Sequence, residues 1–341
     1  MFNAEPSWWY QAGQPWQARL LAPVATLYGT IAARRFAATI PERAARPVIC
    51  VGNFTAGGTG KTPMSLLVAD LVEEHGGAPW FLSRGYGGRL DGQERVDLAR
   101  HTAAEVGDEP LLLAARAPTV ISRDRRLGAE FIARQAPENA VIIMDDGLQN
   151  PAIAKDLTIA LIDRARGLGN GRVIPAGPLR APIAFQLAHT GVIVINGTTG
   201  SGASADLARL PAAARIPTLS AAPQPRDATA WLSDAPVIAF AGIANPGRFF
   251  TMLERAGAKI VERRAFADHE TLSNAEADSL LKSADAARAT LVTTEKDYVR
   301  LRGLDGARVE LFGRVEPVAI QLAMSESDRA VLSARIAQFL R

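Results

Sequence analysis

The sequence predicts an α/β protein: a mostly parallel sheet with helices on both faces, a second and smaller α/β unit, and an N-terminal amphipathic helix. Three observations carry that expectation. Residues 48–62, Val-Ile-Cys-Val-Gly-Asn-Phe-Thr-Ala-Gly-Gly-Thr-Gly-Lys-Thr, run from an apolar strand into a glycine-rich turn ending in Gly60-Lys61-Thr62. From Pro47 to about Asn196 short apolar runs alternate with helical stretches, and the alternation restarts at Val237 after a Pro-rich interval. Such alternation implies parallel strands covered on both faces. Ahead of it, Leu20, Val24, Leu27 and Ile31 recur at helical spacing before Arg34-Arg35.

Taken in order, the N-terminal segment 1–45 holds Trp8, Trp9 and Trp16 beside Tyr10. Its uncharged run from Leu20 to Ala33 is 14 residues long and contains Pro23, too short to span a bilayer. It lacks the early basic region and cleavage site of a secretory signal. An interfacial helix, with Trp at headgroup level and arginines facing anionic lipid, fits the pattern, and so does a helix packed on the protein's own core. The next unit, 46–230, has strand candidates at 48–52, 79–82, 118–121, 140–144, 157–162 and 191–195. The helix after the first strand is legible at Leu66, Leu67, Asp70, Leu71 and Glu74. Residues 197–205 are rich in Gly, Ser and Thr, and five prolines fall in 211–236, which places a hinge there. The smaller unit, 231–341, is read as a strand at Val237–Ala241, a helix at Pro246–Ala256, a strand at Lys259–Arg264, a helix at Asn274–Ala286, a strand at Thr290–Thr294 and a last helix at 326–340. No internal repeat or low-complexity tract interrupts the chain.

Composition narrows the chemistry. At 341 residues the chain is long for one core, and two domains are expected. The net charge of +3 is built from 33 Arg and five Lys, without a basic cluster interleaved with aromatics, so nucleic acid is not an expected partner. One cysteine, Cys50, sits in the first strand and cannot form an internal disulfide, which points to a reducing compartment. The four histidines are scattered and no Cys/His group has zinc spacing, so any metal should be Mg²⁺ held by oxygen.

The turn after the first strand has the form of a phosphate-binding loop, which makes the expected fold P-loop NTPase-like. Successive N–H groups of Thr55, Gly57, Gly58, Thr59 and Gly60 can converge on a polyphosphate, Lys61 reach its β and γ phosphates, and the Thr62 hydroxyl ligate Mg²⁺. In the strict spacing the first glycine is replaced by Thr55, although Gly57 and Gly58 loosen the turn. Partitioning ATPases carry a signature lysine before the glycine pair, where this chain has Ala56. A guanine-reading Asn-Lys-x-Asp is absent, because Lys296 is followed directly by Asp297, so ATP is the expected nucleotide. Some 80 residues on, a buried strand ends in Asp145-Asp146-Gly147, the form of a second nucleotide motif whose aspartate holds Mg²⁺; an Asp-Gly turn closing a strand gives the same letters. Gly107-Asp108-Glu109-Pro110 reads first as the start of an ordinary helix, with Asp at the N-cap and Glu and Pro in its first turn, and second as paired carboxylates for catalysis. Asp268-His269-Glu270 is either a tuned proton acceptor or a solvated loop histidine. Two irregular segments, Ser83-Arg84-Gly-Tyr86-Gly and 167–180 ending in Pro178-Leu-Arg180, have the look of substrate-facing loops on a rigid sheet.

Taken together, Gly52-Asn53, Gly57-Gly58-Thr59-Gly60-Lys61-Thr62-Pro63, Ser83-Arg84-Gly85-Tyr86-Gly87, Gly107-Asp108-Glu109-Pro110, Asp145-Asp146-Gly147-Leu148-Gln149, Pro175-Ala-Gly-Pro-Leu-Arg180 and Asp268-His269 resemble the tetraacyldisaccharide 4′-kinase family, the lipid A 4′-kinases of Gram-negative bacteria. The ordered set spans residues 47 to about 297. The resemblance implies transfer of the ATP γ-phosphate to the 4′-hydroxyl of a tetraacylated glucosamine disaccharide 1-phosphate, by a peripheral protein at the cytoplasmic face of the inner membrane. It further implies that Asp108 is the base in a dyad with His269 across an interdomain cleft. Glu109 and Asp146 then help hold Mg²⁺ with Thr62, Asp145 acts nearby, Lys61 carries the phosphates, and Arg84 and Arg180 face the substrate. Many relatives have Glu after that last arginine, where this chain has Ala181. Outside the resemblance, an assembly or partitioning ATPase without an acceptor, or a nucleotide-binding scaffold, are the competing classes.

Overall fold

The apolar runs resolve into two sheets in a computed structural model that describes residues 5–11, 13, 15–227 and 230–340. The larger unit opens with α1 (Trp16–Ala38), β1 (Val48–Asn53), α2 (Lys61–Glu74), β2 (Ala78–Ser83), β3 (Glu94–Arg95), α3 (Ala103–Val106), α4 (Asp108–Ala114), β4 (Thr119–Ile121) and α5 (Arg125–Gln135). It continues through β5 (Ala140–Asp145), β6 (Leu157–Asp163), α6 (Ile183–Ala188), β7 (Val192–Asn196), α7 (Gly202–Ala208) and β8 (Thr218–Pro225). Then come β9 (Pro236–Ala241), α8 (Pro246–Arg255), β10 (Lys259–Ala265), α9 (Asn274–Ala287), β11 (Thr290–Thr294), α10 (Glu295–Leu301), α11 (Ala307–Arg314), β12 (Val315–Val318), β13 (Ile320–Met324) and α12 (Glu326–Ala337).

Nine strands form the first sheet in the order β13-β8-β7-β6-β1-β5-β2-β4-β3. Only its two outermost pairings, β3 with β4 and β13 with β8, are antiparallel. Strand β1 lies between β5 and β6, both parallel to it, so the sheet runs outward in both directions from the strand that feeds the glycine-rich turn. Ligands collect outside the carboxyl ends of strands at such a switch point. Alternate β1 residues enter opposite layers: Ile49 and Val51 pack with Met64, Val68 and Leu71 of α2, whereas Val48 and Cys50 pack with Ala129 and Ile132 of α5. That two-sided burial is why the strand reads as one continuous apolar run. A second sheet of four parallel strands, β10-β9-β11-β12, has α9 on one face and α8 on the other.

Two features differ from the sequence expectation. The Pro-rich stretch read as a hinge contains β8, which pairs with β7 through Thr218 to Ala221. The C-terminal unit drawn as 231–341 also does not follow the sheets. After β12 the chain returns to the large sheet, where β13 pairs with β8 and α12 buries Leu332 and Ile336 in the same core as Ile49 and Val72. Burial of Leu322, Leu332 and Ile336 supplies the driving force for that return.

Helix α1 is not amphipathic in the ordinary sense. Its small residues Ala18, Ala25 and Gly29 face the protein, with Gly29 against Pro182 and Val173. The large apolar residues Trp16, Leu20, Val24, Leu27 and Ile31 face outward, each more than half exposed. Among the described residues no helix is long and apolar enough to cross a membrane.

Candidate active site

The phosphate-loop geometry follows from local sequence. Gly60 caps α2 in the left-handed region at φ 90°, and a Cβ there would lie 2.4 Å from Asn196 Nδ2. Only glycine meets both conditions. Asn196 Nδ2 in turn donates to Thr59 O at 2.7 Å, and Asn53 Nδ2 donates to Gly57 O at 3.1 Å, so side chains from two strand ends hold the loop open. On the other side the irregular 167–180 segment is tied to the loop: Ala56 N–H donates to Pro178 O at 2.7 Å and Arg180 N–H to Phe54 O at 2.9 Å. Ala56, at the position of a partitioning ATPase's signature lysine, therefore anchors that segment.

The expected acidic residues converge here. Asp145, ending β5, is buried, and its Oδ1 accepts from Ser65 Oγ at 2.9 Å. Burial, reinforced by the Glu109 charge, pushes the Asp145 carboxyl up to about 7. Asp146, at φ 51°, accepts from Arg180 Nη1 through both oxygens at 3.1 Å and lies 3.7 Å from Lys61 Nζ. Burial opposes its charge, but Lys61 and Arg180 outweigh it and hold the carboxyl down at about 2. Arg180 thus meets an acid of the site rather than open solvent. Arg84 lies exposed beyond the end of β2.

Asp108 begins α4 just after Gly107, whose φ of 90° and approach to Tyr86 O leave no room for a side chain. This aspartate is the first residue of the helix and not its cap, and its Oδ1 accepts the N–H of the adjacent Glu109 at 2.8 Å. Its Oδ2 does something a helix start does not need: it meets His269 Nδ1 at 3.2 Å, across 161 residues. The second sheet delivers His269 on the turn after β10, at φ 60°, where its N–H donates to Gly242 O at 3.2 Å. A left-handed histidine costs on the order of 1 kcal/mol, and these bonds offset it. The Asp108 contact raises the imidazole pKa, against its partial burial. Asp108 itself is held well below the usual carboxylate range: burial works against this, but the His269 bond and the Lys296 and Arg300 cations prevail. The Tyr86 ring stands edge-on to His269 at 5.7 Å, so the Ser83–Gly87 segment borders the pair.

Two participants escaped the sequence reading. Lys296 and Arg300, both on α10, face Glu109 and Asp108 respectively: Lys296 Nζ donates to Glu109 Oε1 at 2.6 Å, and Arg300 Nε to Asp108 Oδ2 at 2.8 Å. Burial works against both charges of the first pair, yet Lys296 holds the Glu109 carboxyl down and Glu109 holds the ammonium up. The legible signal was a strand ending in Thr294, a helix N-cap whose Oγ1 accepts from Asp297 N–H, followed by cations four apart on one helix face.

Whether the site suits a phosphate-bound cation is decided by its orphan atoms. Among the described residues seven buried side-chain polar atoms lack a partner, and five cluster here: Asn53 Oδ1, Thr59 Oγ1, Thr62 Oγ1, Asp145 Oδ2 and Asn196 Oδ1. Buried polar atoms normally find partners, so a cluster of orphans marks a place built for something else. Thr62 Oγ1 and Asp145 Oδ2 are hard oxygen donors beside a phosphate loop, which fits Mg²⁺. No cluster of three His, Cys, Asp or Glu side chains that could hold a metal forms among the described residues.

Comparison with known proteins agrees. The family model described as Tetraacyldisaccharide-1-P 4′-kinase matches residues 17–340. A protein named Tetraacyldisaccharide 4′-kinase from a Bradyrhizobium species (strain BTAi1) is 47% identical over 339 residues, covering 98% of this chain and 95% of that one. Another of the same name from Methylobacterium nodulans is 48% identical over 335 residues, covering 97% and 95%. In fold the chain resembles the crystal structure of the "apo" form LpxK from Aquifex aeolicus in complex with ATP, with a TM-score of 0.71, 24% identity, and coverage of 95% of this chain and 99% of that one. With the family match running almost end to end and relatives nearly half identical over the same span, the chain belongs to the tetraacyldisaccharide 4′-kinase family.

Proposed function

We propose that this kinase transfers the γ-phosphate of ATP to the 4′-hydroxyl of a tetraacylated glucosamine disaccharide 1-phosphate, with the Asp108–His269 pair taking the hydroxyl proton beside the phosphate loop. The observation that carries the assignment is the 3.2 Å contact between a carboxylate of the large sheet and an imidazole of the small one, next to the orphaned Thr62 and Asp145 oxygens. Phosphoryl transfer needs positioning and charge neutralisation more than covalent chemistry. Lys61 and the N–H groups of Thr55, Gly57, Gly58, Thr59 and Gly60 grip the phosphates, and the N-terminus of α2 points its partial positive charge at them. Thr62 Oγ1 and Asp145 Oδ2 would hold Mg²⁺, whose charge offsets that of the phosphates when bound. Asp146 is already paired with Arg180 and Lys61, so it sets the lysine's position and holds the cation less directly. Glu109 joins it only by releasing Lys296.

The pair acts as one proton acceptor. With Asp108 held anionic by its cations, the imidazole is oriented through Nδ1 and keeps Nε2 for the hydroxyl. Arg84, exposed beyond β2, and Arg180, already bound to Asp146, would meet the anionic acceptor. The lipid never leaves its bilayer, and the outward apolar face of α1 would bring the site to the cytoplasmic surface of the inner membrane.

The test is transfer from labelled ATP to the tetraacylated disaccharide in detergent, alongside direct measurement of ATP binding. Asp108→Ala should lose at least ~10²-fold in transfer and still bind ATP, since a positioned base contributes about 10²–10⁴. Lys61→Ala should weaken both, and His269→Ala should fall between Asp108→Ala and wild type. Wild-type turnover in Asp108→Ala removes that residue from the mechanism.

A further inference from the structure

Arg300 is 8% exposed on α10 and engages both members of the proton-accepting pair at once. Its Nε and Nη2 both donate to Asp108 Oδ2, the former at 2.8 Å. Its Nη1 donates to Gly242 O at 2.7 Å and to Asp297 Oδ1 at 2.9 Å. Gly242 is the residue that fixes His269: its carbonyl accepts the His269 N–H at 3.2 Å, while its own N–H donates to Asp297 Oδ1 at 3.0 Å. Asp297 is in turn held by Thr294 Oγ1 at 2.7 Å. One guanidinium therefore grips the carboxylate from the large sheet with one edge, and with the other the backbone carbonyl that sets the left-handed turn carrying the imidazole. Its Nη2 also lies 3.2 Å from His269 Nδ1, the nitrogen that faces Asp108.

A plain interdomain ion pair needs only charge, and a lysine would supply it. This arrangement uses the planar fork: two donors converge on one oxygen while a third points away to a carbonyl, which a single ammonium on a flexible stem cannot reproduce. We propose that Arg300 is a positioning residue for transfer, setting the distance and angle between Asp108 and His269 through its fork and not through its charge alone. The proposal rests on the reading of Asp108 and His269 as the proton-accepting pair.

Steady-state kinetics of full-length Arg300→Lys and Arg300→Met, with ATP, Mg²⁺ and the tetraacylated disaccharide in detergent, test it. Arg300→Lys should lose about tenfold or more in kcat and Arg300→Met about 100-fold, with KM for ATP and for the lipid changed by no more than about twofold, the pattern of an interaction felt in the transition state. Thermal unfolding of Arg300→Lys separates a kinetic loss from a folding defect, because a folded variant with wild-type ATP affinity must still show the kcat loss. In a double-mutant cycle, adding Arg300→Lys to His269→Ala should cost much less than it costs the wild type, since the pair it positions is already broken. Wild-type kcat in Arg300→Lys, a rise confined to KM, or losses that multiply fully in the double variant overturn the proposal while leaving the pair intact. His269→Ala at the wild-type rate overturns the pair and the proposal together.

Discussion

Asp108 shows how far single letters can be read. It opens α4 as a helix-start reading expects, but Gly107 is the cap and Asp108 the first helical residue, with its Oδ1 on the neighbouring Glu109 N–H and its Oδ2 facing His269, a contact the catalytic reading needs and a helix start does not. Lys61, Thr62, Asp145 and Asp146 were legible because a phosphate loop and a strand-ending acid are local patterns. The partners Ser65, Asn196, Lys296 and Arg300 were not, because their roles depend on contacts across 80 to 192 residues that no spacing encodes. A titration follows from the Asp108–His269 contact. An imidazole raised by a carboxylate partner contributes stability fully below the ordinary value of 6.5, and that contribution is lost as pH rises through the raised value. Histidine NMR of the ligand-free protein should therefore place His269 above 6.5, and in Asp108→Asn its midpoint should fall, since the carboxylate is the largest cause of the shift. An unmoved midpoint means that the two side chains do not meet in solution.

Strands buried on both faces were predicted to within a residue, and Thr290–Thr294 of β11 matches the expected range end to end, whereas the last helix, expected to reach residue 340, ends at Ala337. Elements were missed where their stability comes from a distant partner. Strand β8, with three prolines at or near its ends, lacks a strand's usual composition and forms because β7 and β13 flank it. Helix α1 shows a different limit: periodicity revealed the helix, whereas the inward face is the stripe of small residues that lets it lie close to Pro182 and Val173. The outward face carries Trp16 and Leu20, each 69% exposed, with Leu27 at 63%. A contiguous apolar face of this kind marks an interaction surface. In flotation with anionic phospholipid vesicles, wild type should float and a Leu20→Glu, Leu27→Glu variant should remain largely in the soluble fraction while keeping transfer to short-chain acceptor in detergent. Equal flotation of the two proteins excludes this face from the membrane contact.

At the level of the whole molecule, the two sheets meet along α4 and α10, and the proposed Asp108–His269 pair depends on that meeting, whereas Lys61, Thr62 and Asp145 lie within the large unit alone. Asp108 and Glu109 come from the large sheet's side, while His269, Lys296 and Arg300 come from the smaller one's. A second interdomain tie lies nearby: Arg248 of α8 donates to Asp163 at the end of β6, at 2.5 Å. The return of β13 and α12 to the large sheet makes the smaller unit an insertion between β8 and β13, held at both ends by one edge of that sheet. Sequence alternation announced both units but not that return, because a five-residue apolar strand such as Ile320–Met324 does not name the edge it will join.

The central claim is that the phosphate loop presents the nucleotide's terminal phosphate to the Asp108–His269 pair. A crystal structure of the complex with Mg²⁺ and a non-hydrolysable ATP analogue tests it most directly. The terminal phosphate is expected over Lys61 and Thr62, with the pair within reach of one bridging water from it and Asp145 on the cation. A terminal phosphate bound with the pair on the far side of the sheet, or turned away from it in the nucleotide complex, rules out proton acceptance by that pair.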